Sequence, residues 1–255
     1  MADDITPEQP KTAWAPPPPP PPPAWSGTAL WPTARTTRAF ASLRGLTTGL
    51  TWVCTLLVVA SIAQVAAFLH RRSVLHDVVT GSTISLSRID RADRLVAQSG
   101  AAWAFTLAAM LVLLIIWLWR ASSNLQPLGV APERLPRGMA IGGWFIPVAN
   151  LVLPFLMIGD AWRAGAPSAA ATPQWRKARL LPAIPAWWVA VWLNVVLRWI
   201  ASAAHTSDST DTVETSELLY ALAAAASAVA AVLAIISVRA IAKRQAERAA
   251  ATAAA

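Results

Sequence analysis

"GGWFIPVANLVLPFLMIGD", Gly142–Asp160, is the stretch on which the reading of this chain turns. Between Arg137 and Asp160 no side chain carries charge, so residues 138–159, 22 in all, are long enough to cross a bilayer, which takes about 20. Yet Pro147 and Pro154 sit inside the run with Asn150 between them. A proline removes a backbone donor and crowds the carbonyl four residues earlier, leaving polar groups that hydrocarbon cannot satisfy. Two readings follow: a re-entrant hairpin that enters and leaves on one side, or a kinked span buried among other helices. Asn150 is placed to bond the freed carbonyls in either.

The rest of the chain has the same texture. Its 255 residues are 56% hydrophobic with a mean hydropathy of +0.48, and charge is confined to short connections between apolar runs. That pattern predicts an all-α, polytopic membrane bundle with four to five apolar segments, one of them proline-broken. The segments fall at about 46–69, 101–119, 139–159, 182–204 and 218–241 of a 45–242 membrane domain. Residues 1–44 read as a disordered proline-rich tail and 243–255 as a basic, alanine-rich one. Pro16–Pro23, flanked by Trp14 and Trp25, forms a polyproline II rod ~25 Å long at ~3.1 Å per residue. It serves either as a spacer or as a docking site for a protein partner with an aromatic-lined groove.

Arginine outnumbers lysine 18 to 3 and alanine is abundant, which points to a high-GC bacterial genome. The net charge of +8 lies in clusters flanking the apolar runs, so the expected partner is the lipid bilayer and no nucleic acid. Cys54, mid-segment, is a small packing residue. The N-terminus lacks the basic-then-apolar order of a cleavable signal, so the first apolar run acts as an uncleaved insertion signal.

Charge also tests topology, because cytoplasmic loops are rich in Lys and Arg. Five crossings with the N-terminus inside leave 7 basic residues in the cytoplasm and 13 outside, against the rule. If 139–159 turns back, the cytoplasm holds 15 and the exterior 5, with both termini inside. Five crossings with the N-terminus outside give 13 and 7, which also satisfies the rule but exports a tail of about 44 residues. The expected location is the bacterial plasma membrane, multi-pass, with the N-terminus cytoplasmic.

Within the spans, polar side chains mark helix contacts. Gln64 turns inward from the first segment. Between the first two segments, Ser87 is expected to cap a short surface helix carrying an Asp90–Arg94 pair and the apolar Ile89, Leu95 and Val96. Trp117 and Trp119 suit an interfacial belt. Asn194, Arg198 and Ser202, at i, i+4 and i+8, form one intramembrane polar stripe; Arg198 either faces a wet cavity or snorkels to the interface. Ser227 and Ser237 allow close helix approach.

Three pieces, "WLWRASSNLQPLG", "GMAIGGWFIPVANLVLPF" and "DAWRAGAP", together resemble the bacterial membrane-protein family called domain of unknown function 4328, over roughly Leu46 to Ile241. Its pattern corresponds here to Asp90 or Asp93, then Trp117, Arg120 and Asn124, then Trp144, Phe145, Pro147, Asn150 and Pro154, then Trp162, Arg163 and Ala164. Where the family often has Pro-Tyr-Gln this chain has Pro154-Phe155-Leu156, and where it has serine after Trp-Arg-Ala this chain has Gly165. The family has no established activity, so the resemblance implies a class and not a reaction.

No catalytic, cofactor-binding or metal residues are expected: His70, His76 and His205 lack metal-site spacing, and a His70–His76–Asp77 site is the weakest of the alternatives weighed. The favoured reading is a non-enzymatic structural or regulatory membrane module in which Arg120 pairs with Asp160 and Arg163 competes for it. The alternative is a small-solute transporter, or a component of one, built on the broken helix around Asn150 with Arg120, Asn124, Asn194 and Arg198.

Overall fold

A computed structural model describes residues 39–81, 85–130, 135–136, 138–166, 173–205 and 210–254. The polyproline run and most of the N-terminal tail lie outside these residues. Among the described residues seven α-helices follow one another: α1 (Arg44–Val79), α2 (Leu86–Ser123), α3 (Met139–Gly142), α4 (Pro147–Asn150), α5 (Leu153–Ala164), α6 (Ala183–His205) and α7 (Thr210–Ala254), with a 3-10 turn at Pro173–Lys177. Four of them, α1, α2, α6 and α7, are long and apolar enough to cross a membrane.

Sequence periodicity explains their packing. On α1 the buried positions Thr47, Leu50, Cys54, Leu57, Ser61 and Gln64 recur every three or four residues, and the outward positions Trp52, Leu56, Val59 and Ile62 are equally apolar. A helix apolar all round is what a lipid-facing bundle requires. α7 carries a stripe of small residues, Ala224, Ser227, Ala231 and Ala234, which lets α1 and α6 pack against it on either side. α2 then packs on α1, completing the four-helix order α6, α7, α1, α2.

The opening stretch does not form a single helix. α3 and α4 are one-turn pieces, and α5, at 12 residues, is only about 18 Å long, short of the ~30 Å hydrocarbon core. Both prolines stand in the first turn of a helix, Pro147 opening α4 and Pro154 opening α5, where the missing N–H has no intrahelical partner to lose. The chain doubles back at these breaks: Gly143 lies against Leu153, and an added Cβ would sit 3.1 Å from the Leu153 Cβ. Both flanks reach one end of the bundle, where Leu125, Leu128 and Val130 after α2 cluster with Ala164, the last residue of α5, and Ala166 just beyond it. The segment is therefore a hairpin, and α5 fills the space between α2, α6 and α7 in that half of the bundle.

Several expectations need correction. Asn150 makes no side-chain hydrogen bond among the described residues; the Leu151 carbonyl is bonded by Trp188 Nε1 of α6 at 3.2 Å. The connection after the first segment has no separate surface helix, because α1 runs on to Val79 and α2 begins at Leu86. The N-cap position is Ser85 and not Ser87, and it makes no side-chain cap bond. The Asp90–Arg94 pair gives way to cross-helix pairs, Arg71–Asp93 at 3.0 Å and Asp77–Arg88 at 3.0 Å. Beyond Ala242 the expected tail is instead the last three turns of α7, with Gln245 and Arg248 buried.

The Leu151 carbonyl yields the first prediction. Trp188→Phe keeps an aromatic ring and removes the indole N–H, the side chain's only donor, so it should cost about 1 kcal/mol of unfolding free energy in detergent. Asn150→Ala should stay within about 0.5 kcal/mol of the parent, and an equal loss in both variants would contradict the assignment.

Candidate functional site

Five backbone segments meet at the end of the bundle where α1 begins, α2 and α5 end, α6 begins and α7 ends. A helix leaves its last four carbonyls without intrahelical donors, and here α2 and α5 finish side by side in a poorly hydrated interior. Gln245 of α7, fully buried, answers one carbonyl of each: its Nε2 donates to Ala121 at 3.3 Å and to Ala161 at 3.2 Å. One turn further, Arg248 donates through Nη1 to the carbonyls of Ala164 and Ala166, and through Nη2 to Leu128 at 2.6 Å. Placing a cation at two helix C-termini also suits their dipoles.

Asn124, the C-cap residue of α2 and 1% exposed, completes the clasp. Its Oδ1 accepts from the Ala41 N–H at 3.0 Å, and its Nδ2 donates to the Ala41 carbonyl at 2.9 Å and to Gln245 Oε1 at 3.2 Å. The segment entering α1 is thus held by an amide that mimics a strand partner. Two turns deeper, the fully buried Trp117 donates to Thr47 Oγ1 at 2.9 Å, tying α2 to α1.

The remaining motif residues bind the chain leaving α5. Trp162 Nε1 donates to the Arg179 carbonyl at 3.0 Å and Arg163 Nε to the Ala178 carbonyl at 3.0 Å. Arg163 Nη1 also lies 3.5 Å from the buried Asp160 carboxylate. The Arg120–Asp160 pair expected from sequence does not form: Arg120 is exposed, and Arg163 stands one turn from the carboxylate on the same helix. The Arg244 guanidinium stacks 4.1 Å above the Trp162 ring. Its stem crosses Gly165 so closely that an added Cβ there would lie 2.9 Å from Arg244 Cγ. A side chain at 165 would therefore meet the Arg244 stem.

Trp144 packs against the main core, whereas Phe145 is 74% exposed and Asn150 half-buried, so the hairpin tip does not join the clasp.

A second polar group lies deeper in the bundle. Asn194 Nδ2 donates to the Ala223 carbonyl of α7 at 2.6 Å. Arg198 reaches inward, donating to Gln64 Oε1 at 2.7 Å and lying 3.9 Å over the Trp103 ring, and Trp103 Nε1 donates to Ser227 at 2.9 Å. Four helices are cross-linked by these contacts. Ser202 does not belong to the stripe, since it is exposed. At the far end the fully buried Glu217 of α7 stands 3.2 Å from Arg71 and 3.9 Å from His205, while His76 pairs with Glu214 at 3.3 Å. Among the described residues no group of three or more His, Cys, Asp or Glu side chains is arranged to hold a metal ion.

Sequence reasoning missed Gln245, Arg248 and Glu217. The signal was present as a spacing: Ala234, Val238, Ile241, Gln245 and Arg248 continue one buried stripe at intervals of four and three, and Glu217 heads the same stripe at its other end.

Residues 80–243 match the family described as a domain of unknown function (DUF4328), and the chain belongs to that family. No curated protein and no solved structure matches it. The matched region opens just after α1 and closes two residues before Gln245, so the motif residues of the clasp lie inside it and their acceptors at Ala41 and Thr47, like their partner Gln245, lie outside.

Gly165→Ser should lower unfolding free energy by about 1–3 kcal/mol, because the new side chain forces Arg244 off its path. Thermal unfolding in detergent measures this, and adding Arg244→Ala should recover part of the loss. A Gly165→Ser chain as stable as the parent would show that the close approach is not a constraint.

Proposed function

We propose that this chain is a non-enzymatic structural or regulatory module of the bacterial plasma membrane, with both ends of its helical domain on the cytoplasmic side. The observation that carries the reading is how the motif's polar groups are used. Trp117, Asn124, Trp162 and Arg163 are each bonded to the protein's own backbone or side chains, and Gln245 and Arg248 close the same clasp. Groups arranged in this way hold a shape. A substrate site would present such donors to an open cavity.

The orientation rests on charge. Arg44, Arg120, Arg179, Arg244 and Arg248 lie at the clasped end in excess of Asp160 and Glu247, which stand 3.5 Å from Arg163 and 3.8 Å from Lys243, whereas at the far end Arg71, Arg88 and His76 are matched by Asp93, Asp77 and Glu214. An end with this excess of basic residues belongs on the cytoplasmic face.

Transport is the second reading, and the specific observation favouring it is the half-buried Arg198 bonded to Gln64, since ionisable groups within a membrane often line pathways. One set of preparations separates the two. In a Cys54→Ala background, an impermeant thiol reagent applied to whole cells should label Ser85→Cys and leave Lys177→Cys and Ala251→Cys unlabelled until lysis; the reverse pattern would invert the orientation. Purified protein in sealed vesicles should leave amino acid, sugar and ion permeability at the level of empty vesicles. A flux abolished by Arg198→Leu in a folded protein would replace the module reading with transport.

A further inference from the structure

On the outer surface of α1 and α7, in the half of the bundle that bears the clasp, a groove of ≈ 410 Å³ is lined by Thr47, Thr48, Thr51, Trp52, Thr55 and Arg239. We propose that it seats the phosphate of a glycerophospholipid whose headgroup carries net negative charge, with Arg239 as the counter-charge.

Arg239 lies six residues before Gln245, about 9 Å along α7 at ~1.5 Å per residue, and Gln245 is level with the end of α2. The guanidinium therefore stands where headgroups give way to acyl chains, exposed on the outside of the bundle, and it has no carboxylate partner among the described residues. A charge in that position is stable only if water or a headgroup anion meets it.

The groove supplies what such an anion needs besides charge. Thr48, Thr51 and Thr55 donate to the carbonyls of Arg44, Thr47 and Thr51 at 3.0, 2.7 and 2.9 Å, a back-bonded state from which a hydroxyl rotates to a better acceptor while the helix keeps its own bonds. Thr47 is fixed differently, because its oxygen accepts from Trp117. The motif tryptophan thereby sets the back wall. Trp52, 67% exposed, offers an amphipathic ring of the kind that settles among headgroups.

Charge decides the class of lipid. With Arg44 opening α1 and Lys243, which also pairs with Glu247 at 3.8 Å, one turn beyond Arg239 on α7, the protein surface around the groove is basic, which favours an anionic headgroup over a zwitterionic one.

The test uses the full chain, extracted in detergent, delipidated and offered equal amounts of phosphatidylglycerol and phosphatidylcholine, with retained lipid read by native mass spectrometry. The parent should retain phosphatidylglycerol preferentially. Arg239→Gln should reduce that retention roughly fivefold, Arg239→Lys should restore most of it, and Thr51→Val should weaken it. Excess inorganic phosphate should not displace the lipid. Equal retention of both lipids by the parent, or undiminished phosphatidylglycerol on Arg239→Gln, would overturn the site. Displacement by inorganic phosphate would assign it to a soluble anion instead.

Discussion

A helix that ends inside a protein leaves carbonyl groups that water cannot reach, and this fold ends two helices side by side. The C-termini of α2 and α5 converge where the broken segment returns from its hairpin, and a third helix meets their need. Gln245 and Arg248 of α7 donate to carbonyls of α2, α5 and the residues just beyond them. Without those donors each carbonyl would be buried unpaired, at about 1–3 kcal/mol apiece. The rest of the arrangement follows from this. α7 has to extend well past its apolar stretch, α1 has to begin beside Asn124, and α5 has to terminate within reach of α7.

The proline-broken segment is the source of that need. A continuous helix over 138–159 would have emerged at the opposite end and left α2 and α5 far apart. Pro147 and Pro154 start new helices instead of interrupting one, and α5 becomes a wedge between α2, α6 and α7 in one half of the bundle. In the other half, where α5 is absent, Arg198 and Trp103 join α6 to α2 and to Gln64. The bundle is closed by an apolar wedge in one half and by a polar bridge in the other.

Much of this was legible in the sequence. Apolar run lengths located the four long helices, and the unequal distribution of arginine favoured a turned-back segment over a fifth crossing. What escaped was decided by partners distant in sequence. Asn150 is as good an amide as Trp188 is an indole for rescuing a carbonyl, and only the approach of α6 selects Trp188. Arg120 and Asp160 had the right charges, but α2 turns Arg120 outward while Arg163 lies one helical turn from the carboxylate. Gln245 and Arg248 were hidden by composition, since a run rich in Lys, Arg and Ala reads as a solvated tail unless the stripe from Ala234 is followed through it. Ser202 fails for the complementary reason: the stripe spacing holds for Asn194 and Arg198, but at the next turn Ala201 and His205 take the inward positions beside α7 and Ser202 is turned outward.

The terminal turns of α7 fasten the fold, although they contribute nothing to the apolar spans. A chain ending at Ala242 retains all four long helices and all of α5, so its stability in detergent isolates the clasp. Thermal unfolding followed by circular dichroism, with monodispersity by gel filtration, is the direct measurement. Loss of a cooperative transition, or a midpoint lowered by ten degrees or more, is expected from removing Gln245 and Arg248 together, at roughly 3 kcal/mol or more. A truncated chain that unfolds cooperatively at the parent's midpoint would mean that apolar packing alone holds the bundle, and the central claim would be wrong.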